Sequence, residues 1–315
     1  MAPCHHARVR RGLTPLVLVA GILAVSTASI FVRFAQSEAD SLVIAAGRLV
    51  IAALLLAPVA LVRHRAELRA LTRRDLLLSL AAGALLAVHF GSWIASLAMT
   101  SVLQSVVLVS TTPLWVALLA PTVLGEKLSR GVVLGLLLAA AGGALMAAAD
   151  MDGGERAASG PADFRGGALA LLGAWAMAGY LLVGRGIRTR LTLVPYVFVV
   201  YGAAAVVLAL AVLLTGRPVT GLEPGTWGWI ALLALVPQLV GHTTFNWALR
   251  HMKATPVAVV LFGEPVGAAL LALLVLGERP PAARLAGAVV ILAGVFLAAR
   301  AGAREGAPGG DRAAE

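Results

Sequence analysis

Residues 113–147 read PLWVALLAPTVLGEKLSRGVVLGLLLAAAGGALMA, and residues 265–299 read PVGAALLALLVLGERPPAARLAGAVVILAGVFLAA. The two segments align without a gap at an offset of 152 residues and are identical at 14 of 35 positions. In a chain this rich in Ala, Leu, Val and Gly, composition alone gives roughly four or five identities. Three more pairs match at the same offset: Gly21 with Gly173, Arg33 with Arg185, and Leu97 with Leu249. We therefore predict that the chain contains two copies of one unit.

The composition excludes a water-soluble globule. Hydrophobic residues make up 60% of the 315 residues and charged residues only 13%, which leaves too little polar surface for a soluble domain. The net charge of +10 comes from basic residues in short loops between apolar stretches, so nucleic acid is not an expected partner. The single cysteine, Cys4, allows neither a disulfide framework nor a cysteine-based metal site. The expected surroundings are a lipid bilayer.

Ten apolar stretches are long enough to cross about 30 Å of hydrocarbon, for which a helix needs roughly 20 residues. They are 15–34, 42–61, 76–99, 102–124 and 132–149 in the first unit, and 166–184, 193–214, 227–249, 254–276 and 285–301 in the second. The first stretch resembles a cleavable signal peptide. Because Gly21 and Arg33 have counterparts in the sixth stretch, we expect it to be retained. The predicted fold is all-α, a polytopic membrane protein with ten transmembrane helices.

The positions of Lys and Arg predict the orientation. With a cytoplasmic N-terminus, 18 of them fall on the inner side, six on the outer side, and Arg48 alone within a span. This bias places both termini in the cytoplasm, and the short loops and Ala-rich and Arg-rich composition favour a bacterial inner membrane. Five helices is an odd number, so the second unit must enter the membrane from the opposite side. The result is two inverted five-helix repeats, a plan common among secondary transporters. The predicted units are residues 12–150 and 164–302, joined by a linker at 151–163 and followed by a disordered cytoplasmic tail at 303–315.

Two prolines are predicted to break helices at matching depths. Pro113 and Pro265 fall at the centres of the fourth and ninth spans, and each leaves the carbonyl one turn back, at Val109 or Leu261, without its helical partner. Freed acceptors at membrane depth are tolerated where they line a cavity or meet neighbouring groups. Matching breaks in inverted halves indicate a midplane binding site. The alternative interpretation is a packing kink.

Two ionisable side chains are predicted inside the membrane. Glu264 precedes Pro265, and the equivalent residue of the first repeat is Thr112. A carboxyl at this depth must face protein or water, so Glu264 is either a substrate or proton site or a structural hydrogen-bonding group. For Arg48 we weigh an anion-binding role, a pair with Glu264, and extension to the outer interface. The sequence slightly favours extension.

Polar and aromatic side chains on helical faces form the other candidates. His89 and Trp93 are four residues apart on the third span, and Gln238, His242 and Asn246 mark one face of the eighth. They are predicted either to line a solute cavity or to join helices by hydrogen bonds. The full predicted set of substrate-binding residues is Arg48, His89, Trp93, Gln104, Thr112, Trp115, Tyr180, Gln238, His242, Asn246 and Glu264, with Trp175 beside them.

Glu126 and Glu278 each end a span and precede a basic residue, so we interpret both as structural caps or gate residues at helix N-termini. Small residues recur every four positions on the fifth and tenth spans, where they permit close helix approach within the molecule or in a dimer. They are Gly131, Gly135, Ala139 and Gly143, and Ala282, Ala286, Val290 and Gly294.

The repeated motifs resemble those of a known family. They are Leu97, Pro113, Leu124-Gly125-Glu126, Gly135 and Gly142, and in the second half Leu249, Glu264-Pro265, Leu276-Gly277-Glu278, Gly287 and Gly294. This pattern is similar to the paired EamA domain of the drug/metabolite transporter superfamily. The resemblance implies ten helices in two inverted repeats around a central cavity, with export of amino acids, other metabolites or drugs. Thr112-Pro113 departs from the family's Glu-Pro pattern, so symmetrical carboxylates are not expected.

We therefore expect a secondary transporter that moves a small solute by alternating access, in contact with lipid and either monomeric or homodimeric. Proton coupling through Glu264 or a histidine is an open hypothesis. We expect no catalytic residue, no metal site and no cofactor, because the sequence contains no HExxH, paired Asp-rich or GxSxG motif. An intramembrane enzyme and a membrane scaffold or sensor are the alternatives.

Overall fold

The computed structural model describes residues 16–100, 102–151, 161–276 and 282–305, and all regular secondary structure in these ranges is helical. The helices are α1 (Leu16–Ala35), α2 (Ser41–Arg63), α3 (Arg65–Arg69), α4 (Arg73–Leu97), α5 (Val102–Val109), α6 (Thr112–Leu124), α7 (Arg130–Met151), α8 (Pro161–Arg188), α9 (Leu193–Thr215), α10 (Pro224–Ala248), α11 (Ala254–Val260), α12 (Gly263–Leu276) and α13 (Ala282–Glu305). The predicted all-α fold is confirmed for this part of the chain.

Several helix ends follow from local side-chain chemistry. The Asp40 carboxylate accepts a hydrogen bond from the Leu42 N–H and begins α2, and the Thr72 hydroxyl accepts from the Asp75 N–H and begins α4. Gly125 and Gly216 have φ angles of 66° and 63°, and these left-handed glycines end α6 and α9. Caps of this kind satisfy backbone groups that the helix itself leaves unpaired.

Six helices in the described ranges are long and apolar enough to cross a membrane, judged by length and composition: α1, α2, α4, α8, α9 and α10. Four shorter apolar segments accompany them, namely Thr112–Leu124, Arg130–Leu145, Ala254–Ala268 and Leu285–Ala298. The predicted count of ten transmembrane helices is therefore met only in part. A physical reason is visible in the fourth and ninth predicted spans, which are divided just before Pro113 and Pro265.

Two pairs of helices pack closely along their small residues. A Cβ atom placed on Gly135 would lie 2.7 Å from the carbonyl oxygen of Gly294, and one placed on Gly142 would lie 2.7 Å from that of Gly287. This confirms the predicted close approach within the molecule, here between α7 and α13. Gly143 takes no part in this contact within the molecule, because a Cβ atom there would meet nothing within 4 Å. Gly173 of α8 similarly approaches α4, where a Cβ atom would lie 3.2 Å from the Ser92 hydroxyl oxygen.

The outside of the helical bundle is rich in exposed apolar side chains. Leu54, Val62, Leu118, Leu213 and Phe296 are each more than half exposed. Exposure of this extent is unfavourable in water but expected where acyl chains surround the protein. Together with the six long apolar helices, it identifies a multi-pass membrane protein.

Two of the predicted boundaries, at the linker and at the tail, fall inside helices. Helix α8 begins at Pro161, inside the predicted linker, and α13 continues to Glu305, past the predicted start of the tail. The remainder of the linker, residues 152–160, and the remainder of the tail, residues 306–315, lie outside the described residues.

Candidate functional site

Four interruptions of regular α-helix, from distant parts of the chain, lie close together. A turn at Thr27 interrupts α1, a turn at Ser110 and Thr111 separates α5 from α6, and a turn at 261–262 separates α11 from α12. The middle of α10, Ala234–His242, is a π-helix that includes Pro237. Interruptions of this kind are unfavourable in lipid unless the freed groups are buried in protein or line a cavity. Single-turn π segments are frequent at functional sites.

A cavity lies where these interruptions meet. It offers about 40 Å³ to the centres of water molecules, which is room for about three waters. Its walls come from α1, α2, α4, α5, α6, α8, α10 and α12, and from the turns that follow α5 and α11. The lining residues are Val25, Ala28, Arg48, His89, Phe90, Trp93, Val109, Ser110, Thr112, Pro113, Met177, His242, Leu261 and Glu264.

Equivalent residues of the two repeats line this cavity together. Four of its lining pairs are related by the offset of 152 residues: Val25 and Met177, Phe90 and His242, Val109 and Leu261, and Thr112 and Glu264. Both repeats therefore contribute the same four positions to one cavity, although the side chains at those positions differ.

The two carbonyls predicted to be freed by proline are at the cavity, and each has a donor. The Thr112 hydroxyl donates to the Val109 carbonyl at 2.8 Å, and the Glu264 N–H donates to the Leu261 carbonyl at 3.0 Å. The Ser26 hydroxyl donates to the Glu264 carbonyl at 3.1 Å and links α1 to the second break. The breaks are thus stabilised locally, while both interrupted segments still line the cavity.

Arg48 is completely buried rather than extended to the interface, so the favoured sequence interpretation was wrong. Its Nη2 atom donates to the Gln238 side-chain oxygen at 2.9 Å, and its Cζ atom lies 3.9 Å from the centre of the Phe90 ring. Within the described residues, its Nε and Nη1 atoms have no hydrogen-bond partner. A guanidinium stacked on an aromatic ring keeps its edge available for hydrogen bonds.

Glu264 is partly buried and lines the same cavity as Arg48. The predicted pair does not form as an ion pair, since no carboxylate oxygen of the described residues lies within 4.0 Å of an Arg48 nitrogen. The cavity therefore contains an arginine and a glutamate that do not form an ion pair with each other.

His89, Trp93 and His242 come together as the two helical faces predicted. The His89 Nδ1–H donates to the Gly173 carbonyl at 2.9 Å, because a carbonyl can only accept. This fixes the ring and leaves Nε2 as an acceptor in the neutral imidazole. The His89 and Trp93 rings are parallel with centres 6.2 Å apart, and the His242 ring centre is 6.3 Å from that of His89.

Other predicted residues do not line this cavity. Tyr180, Asn246 and Tyr201 form a buried network in which the Tyr180 hydroxyl donates to the Asn246 side-chain oxygen at 2.8 Å. Trp115 and Trp175 form a separate edge-to-face pair with centres 5.3 Å apart. Gln238 does not line the cavity but accepts a hydrogen bond from Arg48, which does. The side chain of Gln104 lies outside what the structure describes.

Glu126 forms a link between the two repeats. Its carboxylate accepts from Arg185 Nε at 2.8 Å and from the Ala254 N–H, at the first residue of α11, at 3.0 Å. Arg185 Nη1 in turn donates to the Leu249 carbonyl at 2.8 Å. The carboxylate caps α11 instead of the helix that follows it in sequence, and we call this set the Glu126 latch. Glu278 lies outside the described residues.

The apolar part of the cavity wall was not among the residues predicted from the sequence. Val25, Ala28, Phe90 and Met177 carry no polar signal, and in a chain this hydrophobic no composition rule distinguishes them from lipid-facing residues. The 152-residue offset could have identified two of the apolar lining residues. Phe90 is the equivalent of His242, and Val109 is the equivalent of Leu261. In the described ranges, no group of three or more His, Cys, Asp or Glu side chains could hold a metal ion.

Comparison with known proteins agrees with this architecture. The sequence profile described as "EamA-like transporter family" matches residues 13–148 and again residues 164–300. A protein of Archaeoglobus fulgidus named "Uncharacterized transporter" is 32% identical over 76 residues, which cover 24% of this chain and only 28% of that relative. A protein of known crystal structure superposes with a TM-score of 0.76 at 19% identity, covering 93% of this chain and 99% of the other, which shows a shared fold.

The profile covers nearly the whole length of the described helices, once for each repeat. The chain belongs to the EamA-like transporter family.

Proposed function

We propose that this protein is a secondary transporter that moves a small solute by alternating access around the cavity at Arg48 and Glu264. Two inverted five-helix repeats, ten helices in all, would rock about the cavity and expose it first to one side and then to the other. The observation that carries the proposal is the set of four equivalent residue pairs that line the cavity. Inverted-repeat transporters bind substrate at the interface of their repeats.

The finer assignments rest on charge distribution and on the family. The excess of Lys and Arg in the loops supports cytoplasmic termini in a bacterial inner membrane, and membership of the EamA-like family supports export. Glu264, His89 and His242 are the titratable cavity residues that support proton coupling. The carrier works as a monomer or homodimer.

A solute screen followed by transport assays tests the proposal. Purified protein is unfolded thermally in the presence of single metabolites, and compounds that raise the midpoint are then loaded into proteoliposomes. We expect counterflow of at least one compound. Ser110→Phe fills the cavity and should abolish both binding and flux, whereas Thr111→Phe, at the neighbouring residue outside the lining, should retain both.

The outcome also separates a transporter from the other classes considered. Specific binding without movement, unaffected by Ser110→Phe, would indicate a membrane sensor or scaffold. Chemical conversion of a bound compound would indicate an intramembrane enzyme. Either result would refute transport.

A further inference from the structure

The buried surroundings of Arg48 contain several hydrogen-bond donors without acceptors. Among the described residues, the unpartnered buried atoms include Arg48 Nε and Nη1, Trp93 Nε1 and Gln238 Nε2. These four nitrogen atoms carry hydrogen and can only donate, whereas the unpartnered Nδ1 of His242, which also lines the cavity, donates or accepts according to its tautomer. Arg48 and Trp93 line the cavity, and Gln238 is hydrogen-bonded to Arg48. A site with this imbalance fits a ligand that offers acceptors.

The imbalance is also one of charge. Arg48 is fully buried, and no carboxylate of the described residues lies within 4.0 Å of it. A buried cation without an ionised partner is unfavourable, and the deficit is greatest at membrane depth. Phe90 covers one face of the Arg48 guanidinium, but it accepts no hydrogen bond from the N–H groups at the edge of the guanidinium. The missing component is therefore both negative and rich in acceptors.

We propose that Arg48, with Trp93, binds the carboxylate group of the transported solute, so that the substrate class is small organic acids carrying a free carboxylate. A carboxylate has two oxygens, accepts hydrogen bonds from a guanidinium in a planar arrangement, and donates none. This inference rests on the proposed function, since it assigns a substrate class to the same cavity.

The apolar remainder of the wall determines what the rest of the solute is like. Val25, Ala28, Phe90, Val109 and Met177 surround the polar edge with aliphatic and aromatic groups. The small space available favours short aliphatic or single-ring acids over large ones. Glu264, which lies on the same cavity, is separated from the guanidinium and does not occupy its free edge.

The test compares acids with amides of nearly the same shape. Purified full-length protein is titrated with acetate and acetamide, butyrate and butyramide, and benzoate and benzamide at constant pH and ionic strength, and binding is followed by calorimetry and by the thermal midpoint. We expect at least one acid to bind about tenfold to 100-fold more tightly than its amide, the range for a hydrogen bond to a charged group. This comparison needs no variant.

Variants then assign the preference to Arg48. Arg48→Gln should make the acid and its amide bind equally, and Arg48→Lys should reduce the preference about tenfold, because a lysine lacks the planar arrangement of donors. Arg63→Gln removes an exposed arginine from the same helix and should leave the preference unchanged. If Arg48→Gln does not fold, the parent and Arg48→Lys still decide the question.

Two failures are distinguishable. If metabolites bind and are transported but no acid is preferred over its amide, or if the preference survives in Arg48→Gln, the carboxylate inference is wrong and transport stands. If neither the acids nor the wider metabolite panel bind or move, both proposals fall.

Discussion

At the scale of single residues, Arg48 and Glu264 define the chemistry of the cavity. Their presence inside the membrane was predictable, because ionisable residues interrupt otherwise apolar spans. Where their side chains lie relative to each other was not predictable. A sequence gives the depth of a side chain along a helix but not the rotation of that helix, so extension of Arg48 to the interface was slightly favoured over burial. The structure shows a completely buried side chain held by Gln238 and Phe90.

Glu264→Gln tests proton coupling at this scale. The amide keeps the shape of the side chain but cannot exchange a proton, so transport that is coupled through Glu264 should lose its dependence on pH. An inwardly directed gradient of one pH unit should raise the solute gradient that the parent can sustain by about tenfold per coupled proton, and should leave the variant unaffected. The measurement is solute efflux from proteoliposomes at a series of external pH values.

Glu223→Gln serves as the control for this substitution. Glu223 is exposed and begins α10, away from the cavity, so its variant should respond to pH like the parent. A Glu264→Gln protein with the parent's rate and pH response would remove this carboxyl group from the mechanism.

At the scale of helices, the breaks at Pro113 and Pro265 were predictable and the π-helix was not. Proline lacks an N–H, so its effect on the preceding turn can be read directly from the sequence. Pro237 gives the same local signal in α10, yet the helix there widens rather than breaks. Whether a helix breaks or widens at a proline depends on neighbouring helices, because they supply hydrogen-bond partners to the backbone groups that the proline leaves unpaired. Those helices are distant in sequence, so no local sequence pattern predicts the outcome.

Two adjacent glycines of α7 offer a matched test of helix packing. Gly142→Ala places a Cβ atom 2.7 Å from the backbone of α13, whereas Gly143→Ala places one where nothing lies within 4 Å. We expect Gly142→Ala to lower the free energy of unfolding by about 1–3 kcal/mol, as overpacking does. Gly143→Ala should be neutral or stabilising by up to about 1 kcal/mol, since alanine favours the helix.

Thermal and denaturant unfolding in one detergent measures both variants. Equal losses of stability would contradict the close packing of α7 against α13.

At the scale of the whole molecule, the duplication was the strongest sequence signal, and the profile match to both halves agrees with it. The cavity that both repeats line was harder to predict from the sequence. Four equivalent pairs line it, but two of the pairs are chemically unlike: Thr112 is equivalent to Glu264, and Phe90 is equivalent to His242. Sequence identity between the repeats therefore marks helix packing, while the positions that line the cavity have diverged. A search for identical residues alone would miss them.

The proposed inverted arrangement predicts opposite exposure of two equivalent loops. Residues 64–72 follow α2, and the loop at 216–223, offset by 152 residues, follows α9. In a Cys4→Ser background, Ala70→Cys should react with a membrane-impermeant maleimide only from the cytoplasmic side. Thr220→Cys should react only from the outside. Whole cells and inverted vesicles provide the two directions of access.

Detergent-solubilised protein is the control, because both cysteines should then react. Labelling of the two cysteines from the same side would exclude inverted repeats.

The Glu126 latch has a consequence for how the two repeats can move apart. One carboxylate holds both the Arg185 guanidinium and the first N–H of α11, and both partners belong to the other repeat. Movement of the repeats apart at this end would have to break both hydrogen bonds. In the proposed alternating-access cycle, the latch would therefore raise the barrier to opening here and limit the leakage of ions through the protein.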